Sequence, residues 1–149
     1  MTSPFDFTND EWSHLVAAPV LVGLAVARAE DSGFFGSMKE IRTLLGEIAA
    51  KADEGSAGGL VAQVAATESV AFDRFKDDTA SNLAEAAVSA CERARAVLDQ
   101  RADPDEASAF SSWLLDVAAT VADSATEGGV RVSAGESALI DRFRDALSA

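Results

Sequence analysis

The sequence predicts an all-α protein, a single-domain bundle of six or seven helices. A helix-start signature recurs at four places, where a capping side chain stands three residues before a Glu and just ahead of an apolar helical period. The four pairs are Thr8 and Glu11, Ser37 and Glu40, Asp103 and Glu106, and Ser133 and Glu136. The composition agrees, because 31 alanines and only three prolines favour closely packed helices. The strand-like run from Gly129 to Val132 is too short to build a sheet.

The length fits one domain over residues 1–149, with an N-terminal arm over residues 1–7. A chain of 149 residues buries roughly 70% of the surface that its unfolded form exposes. We therefore expect its core to be stable without a disulfide or a structural metal.

The first helix is predicted from Asn9 to Ala29. Its start carries a capping box at Thr8 and Glu11, and Phe7 and Trp12 occupy the two positions of a hydrophobic staple. From Leu15 to Ala27 every face is apolar, which is typical of a helix surrounded by others. Pro19 predicts a kink rather than an end, because the apolar pattern continues beyond it. We expect this helix at the centre of the core.

The second helix is predicted from Met38 to Ala52, after a cap at Ser37. Its inward positions follow helical spacing: Met38, Ile41, Leu45, Ile48 and Ala52. A third helix is predicted from Gly59 to Phe75. The run from Thr67 to Ser69 can interrupt it, so two short helices are the alternative.

Three further helices complete the predicted bundle. One runs from Ser81 to Arg101, with Cys91 on its apolar side. The next runs from Pro104 to Thr126; Pro104 suits the first helical position, and Gly128-Gly129 suits an exit at the C-terminal end. The last runs from Ala134 to Leu147.

Two junctions between predicted helices share a pattern. Gly33, Ser37 and Glu40 recur 96 residues later as Gly129, Ser133 and Glu136. One explanation is a duplication that produced two related helical hairpins with pseudo-twofold symmetry. The other is that any connection between two helices favours a Gly turn, a Ser cap and a following Glu.

The second junction, with Val130-x-Val132-Ser133-x-x-Glu136 before a short apolar helix, resembles the repeated hairpin of the tellurite-resistance TerB-like helical family. The resemblance covers about 30 residues in two patches. It implies a stress-associated cytoplasmic protein with acidic positions that bind a divalent cation. The acidic residues in the two turns and at one helix start are the candidates: Asp31, Glu127, Asp103, Asp105 and Glu106. The opening segment around Phe7 also resembles the start of small uncharacterised bacterial helical proteins, which implies no chemistry.

The common catalytic and metal-binding constellations are missing from the sequence. His14 is the single histidine and Cys91 the single cysteine, so the usual zinc, di-iron and nucleophile–histidine sites cannot be assembled. Glu11-x-x-His14 is better interpreted as a capping Glu and a histidine at the edge of the core. No phosphate-binding or dinucleotide-binding glycine motif occurs, and the acidic residues at helix starts also suit the helix dipole without a metal. We therefore predict no cofactor.

Charge and hydropathy restrict the partners. A formal charge of −13 disfavours nucleic acid and anionic membrane surfaces. The longest apolar run has only 13 residues, fewer than the ~20 that a bilayer crossing needs. The lone Cys91 and an N-terminus without a basic and apolar leader predict a cytoplasmic protein.

Four aromatic residues fall in predicted connecting segments: Phe5, Phe7, Phe34 and Phe35. They either plug the ends of the bundle or form an exposed interface for a protein partner or a second copy. The sequence therefore favours a non-enzymatic protein that acts through protein contact or self-association. Two alternatives stay open: a cation-binding stress protein of TerB-like type, and an enzyme that uses carboxylates and arginines in a pocket that sequence alone cannot assemble.

Overall fold

The computed structural model describes residues 7–29, 33–54, 59–67, 71–75, 79–126 and 134–148, and this part of the chain is an all-α bundle. It contains seven helices and no strand. They are α1 (Asn9–Ala29), α2 (Gly33–Ala52), α3 (Gly59–Ala66), α4 (Ala71–Phe75), α5 (Ala80–Arg101), α6 (Pro104–Thr126) and α7 (Ala134–Leu147). The predicted fold class is confirmed, and the bounds of α1, α6 and α7 are those that the sequence predicts.

Helix α1 forms the centre of the core. Between Leu15 and Ala27 only Ala17 is more than slightly exposed, because α2, α5 and α6 cover the other side chains. The most extensive packing is against α5. Pro19 lies inside α1 and the helix continues to Ala29, as the uninterrupted apolar pattern predicts.

Helix α2 begins earlier than predicted. It starts at Gly33 rather than Met38, so Phe34 and Phe35 lie in its first turn and Ser37 lies inside the helix rather than at its cap. A glycine inside a helix costs only about 1 kcal/mol relative to alanine, which makes Gly36 a weak stop signal. The starts of α2 and α7 therefore do not keep the 96-residue offset of the sequence pattern; Gly129 and Ser133 lie outside the described residues.

The inward face of α2 also differs from the prediction. Leu44 is fully buried, whereas the predicted inward residue Leu45 is 44% exposed. Both positions fit three-and-four spacing from neighbouring apolar residues, so periodicity alone does not choose between them. Packing chooses Leu44, because it lies against Gly23 of α1, where no side chain occupies the space.

The remaining helices match the pattern closely. Two short helices, α3 and α4, form in place of one continuous helix, with Thr67 at the interruption, so the alternative prediction of two helices is confirmed. Helix α5 starts one residue before the prediction and is capped by Thr79, whose Oγ1 accepts a hydrogen bond from the Asn82 N–H at 3.2 Å. The apolar sides of α5, α6 and α7 supply much of the core, including Leu83, Phe110 and Phe143.

Candidate functional site

The candidate site is a groove of about 590 Å³ between α1, α4 and α5. This volume lies within the range of about 300–1,000 Å³ that is typical of binding sites. Exposed residues at its edge, among them Ser13, Ser89 and Arg93, open it to solvent. The lining residues are Trp12, Ser13, His14, Val16, Ala17, Leu21, Thr67, Arg74, Phe75, Glu85, Ala86, Ser89, Ala90 and Arg93.

The start of α1 fixes the position of Trp12 at this groove. The Thr8 N–H donates to Glu11 Oε1 at 2.8 Å, and the Glu11 N–H donates to Thr8 Oγ1 at 3.1 Å, which confirms the predicted capping box. The rings of Phe7 and Trp12 lie 5.6 Å apart, which confirms the predicted staple. A salt bridge of 3.5 Å joins Glu11 to Arg101 at the end of α5. The capping box, the aromatic staple and the salt bridge together fix the start of α1.

The hydrogen bond from the Thr8 backbone is the main cause of a lowered pKa at Glu11. The positive charge of Arg101 acts in the same direction. Glu11 therefore acts as a charged cap. Its carboxylate already binds the Thr8 N–H and Arg101, which does not favour metal binding by the fragment Glu11-x-x-His14.

The floor of the groove is apolar. Val16, Ala17 and Leu21 come from successive turns of α1, and Ala86 and Ala90 come from the facing side of α5. The two alanines leave space in the groove beside α5, because each has only a methyl group as its side chain. Two aromatic side chains, Trp12 and Phe75, complete this apolar surface, and both are partly buried.

Polar groups line the edge of the floor. Glu85, Ser89 and Arg93 follow one another at intervals of four residues, so they share one edge of α5. His14 is partly buried on the α1 side. Thr67 uses its hydroxyl to donate to the Gln63 carbonyl at 2.8 Å, so this group serves the end of α3.

Glu85 is held by a residue outside the groove. Arg142 Nη2 of α7 lies 2.9 Å from Glu85 Oε1, and the Glu85 side chain is 71% exposed. Its charge is therefore offset by Arg142, and the carboxylate is hydrated rather than desolvated. Such an environment does not favour a general acid or base.

The sequence offers five acidic residues as candidate cation ligands, and those within the described residues do not form a metal site. Asp103, Asp105 and Glu106 lie at the start of α6, where Pro104 is the first helical residue. Asp31 and Glu127 lie outside the described residues. Within the described ranges, no three Asp, Glu, His or Cys side chains come together as a metal site would require.

The aromatic residues nominated for an interface have different positions. Phe7 is 8% exposed and belongs to the core, so it packs at the end of the bundle and is not an exposed interface residue within the chain. Phe34 and Phe35 lie in the first turn of α2 rather than in a connecting segment, and their side chains are outside what the structure describes. Phe5 also lies outside the described residues.

Cys91 lies in the core rather than at the groove. Its side chain is fully buried, and burial raises the pKa of the thiol to about 12, with a smaller contribution from the charge of Glu92. A thiol in this environment stays protonated near neutral pH and is a poor nucleophile. The burial of Cys91 confirms its predicted position on the apolar side of the helix.

No family model, curated protein or solved structure matches this chain. The resemblance to the TerB-like family therefore stays a prediction. None of the described helices has both the length and the apolar composition that crossing a bilayer requires.

The groove cannot be predicted from the sequence alone. Its lining residues extend from Trp12 to Arg93 in the chain and meet only when α1, α4 and α5 pack together. Two local signals were available: His14 at the edge of an apolar helix, and the four-residue spacing of Glu85, Ser89 and Arg93. Neither signal identifies the neighbouring helix that completes a site.

Proposed function

We propose that this chain is a non-enzymatic binding protein that contacts a partner protein through the groove between α1, α4 and α5. The observation that carries the proposal is the combination of an apolar floor containing Trp12 and Phe75 with a hydrated, charged edge. Aromatic side chains beside arginines are enriched where protein surfaces bind one another.

The proposed occupant is a short helical segment of the partner. A groove of about 590 Å³ has room for a few large side chains, whereas the body of a helix would stay outside it. Helices commonly bind in this way, with apolar anchors at intervals of three and four residues entering a groove of the other protein. The cytoplasm is the compartment we propose, because the one cysteine cannot form an internal disulfide.

The enzyme alternative has less support from the groove. Among the described residues that line the groove, Glu85 is the single carboxylate, and it is exposed and offset by Arg142. The cation-binding alternative depends on Asp31 and Glu127 together with the start of α6. If the cation-binding alternative is correct, millimolar calcium or magnesium must raise the melting midpoint more than a monovalent salt of matched ionic strength does.

Site-specific photocrosslinking tests the proposed function. A benzophenone side chain at Ser89, on the edge of the groove, is compared with one at Ser112, an exposed position of α6 outside the groove. We expect a discrete crosslinked protein from Ser89 and not from Ser112. The Ala90→Trp variant, which fills the α5 wall, should abolish that product.

Two results would contradict the proposal. Identical products from Ser89 and Ser112 would mean that the groove is not the contact surface. If the Ser89 product persists in folded Ala90→Trp protein, the partner binds even when the groove is filled, so the groove is not the binding site. If the Ser89 product is a dimer of this chain, the partner is a second copy, and sedimentation at several concentrations should show the same association.

A further inference from the structure

We infer that the segment that binds this groove is acidic, with a carboxylate beside its apolar anchors. This inference rests on the proposed function and adds the chemistry of the partner. It is carried by the pairing of basic side chains over the described part of the chain, which differs between the groove and the rest of the surface.

The described basic side chains outside the groove all have carboxylate partners. Within the described residues, five such side chains form salt bridges: Lys51 with Glu54, Arg95 with Asp99, Arg101 with Glu11, Arg142 with Glu85, and Arg144 with Asp141. The chain has 25 acidic and 12 basic residues, so acidic side chains outnumber basic ones over the whole sequence.

The two described arginines without a carboxylate partner both line the groove. Arg74 comes from α4 and Arg93 from α5, and both are exposed. The Arg74 guanidinium carbon lies 5.3 Å from the centre of the Phe75 ring. This contact keeps a cation next to the apolar surface, where a bound apolar side chain would lie.

The charged residues among the described lining of the groove are Glu85, Arg74 and Arg93, so this lining is net positive although the whole chain is negative. Glu85 and Arg142 offset each other, which leaves Arg74 and Arg93 as the two lining charges with no salt bridge to a described residue. At about 0.1 M salt, charges more than about 10 Å apart are largely screened. A carboxylate bound in contact with Arg74 or Arg93 would lie well within this distance of the guanidinium group.

The chemistry of the guanidinium group selects a carboxylate. Each arginine presents its N–H donors in a planar fork that matches the two oxygens of a carboxylate. An acidic side chain next to an apolar anchor would satisfy Arg74 or Arg93 while the anchor covers Trp12 and Phe75. A basic segment would instead meet like charge and lose affinity.

A peptide array tests the inference without a known partner. It carries amphipathic 15-residue helices with varied apolar anchors, each made in three versions whose flanking residues are Glu, Gln or Lys. Binding of the full chain is quantified for each triplet, and backbone amide shifts of Ser13 and Ser89 locate the peptide. We expect the Glu versions to bind about tenfold more tightly than their Gln partners, and the Lys versions to bind most weakly.

Variants identify the charges responsible. Arg74→Gln and Arg93→Gln should each reduce the Glu-to-Gln preference by about threefold, and the double variant should remove it. Arg144→Gln is the matched control, because Arg144 is exposed, pairs with Asp141 and lies outside the groove. High salt should reduce the preference in the wild type and leave it unchanged in the double variant.

The possible outcomes are distinguishable. Glu and Gln peptides that bind equally at Ser13 and Ser89 would overturn the acidic partner and leave the proposed function in place. A preference that survives in the double variant would also overturn the inference. If no peptide shifts these amides, the proposed function fails as well. If decanoate binds in the groove more tightly than every peptide, the groove is a site for a small amphipathic anion. This result would overturn both the acidic partner and the proposed function.

Discussion

Leu44 of α2 packs directly against the backbone of Gly23 in α1. A methyl group added at Gly23 would lie 2.8 Å from Leu44 Cγ and closer still to its two methyl groups. Leu44 is fully buried, and α1 is covered on most faces by other helices, so neither side can easily move away. The missing side chain at Gly23 is what allows α2 to approach α1.

Gly23→Ala should therefore destabilise the protein. Overpacking of a core by one methyl group typically costs about 1–3 kcal/mol, which exceeds the gain of up to about 1 kcal/mol in helix propensity. Gly46→Ala is the matched control: Gly46 lies in α2 with no neighbouring atom within 4 Å of an added methyl group, so this variant should be more stable than the wild type. Urea unfolding of both variants measures the difference, and equal shifts would show that Leu44 does not confine Gly23.

The same two residues show why the fold was largely predictable and the register of α2 was not. Helix starts with a cap and a following Glu, such as Thr8 and Asp103, are local signals, and the bounds of α1 and α6 follow from them. The choice between Leu44 and Leu45 depends on the surface of α1, which periodicity within α2 does not contain.

The candidate site shows the same limit more strongly. Trp12 could be placed from the sequence, because its staple partner Phe7 stands five residues away in the chain. The approach of Arg74 and Arg93 to one groove depends on how α4 and α5 pack on α1. Arg93 is an exposed residue of α5, and nothing in the sequence of that helix alone reveals that it lines a groove.

Removal of the Thr79 cap should weaken the start of α5. Thr79→Ala deletes the hydroxyl that accepts the Asn82 N–H, and the loss of such a cap typically costs about 1 kcal/mol. Ser37→Ala provides the contrast, since Ser37 lies inside α2 and alanine has the higher helix propensity there. Thermal unfolding should show a lower midpoint for Thr79→Ala alone. A larger loss at Ser37 would contradict the start of α2 at Gly33.

Glu11 should make stability depend on acid. Its pKa in the folded protein is lowered from the ordinary value of 4.5, chiefly by the Thr8 N–H and then by Arg101. A lowered folded pKa means that the contribution is fully present above the unfolded value and is lost as the pH falls through the folded value. Wild type should thus exceed Glu11→Gln in stability at neutral pH, and the gap should close below about pH 4.5.

Denaturant unfolding between pH 3 and pH 7 measures this gap. Asp116→Asn serves as the control for the loss of one negative charge, because Asp116 is exposed in α6. A constant difference between wild type and Glu11→Gln across the whole range would contradict the assignment of Glu11 as a charged cap.

Cys91 should react slowly with thiol reagents in the folded protein. The side chain is fully buried, and its raised pKa leaves almost no thiolate at pH 8. Ellman's reagent should label it at the rate at which the protein opens, and denaturant should accelerate the reaction strongly. Cys91→Ala protein supplies the blank. Rapid stoichiometric labelling under native conditions would show that the thiol is accessible.

Substitution of Phe7 distinguishes a structural role of this residue from a role in an interface. Phe7 is 8% exposed and its ring lies 5.6 Å from that of Trp12 at the edge of the groove. Burial of a phenylalanine side chain contributes roughly 1.5–3 kcal/mol whether the cover is the same chain or another one. Because the cover described here is the chain itself, Phe7→Ser should lower the melting midpoint at every protein concentration and leave the sedimentation mass unchanged. A mass that falls in the variant while its helicity and midpoint stay constant would show that Phe7 contacts a second copy.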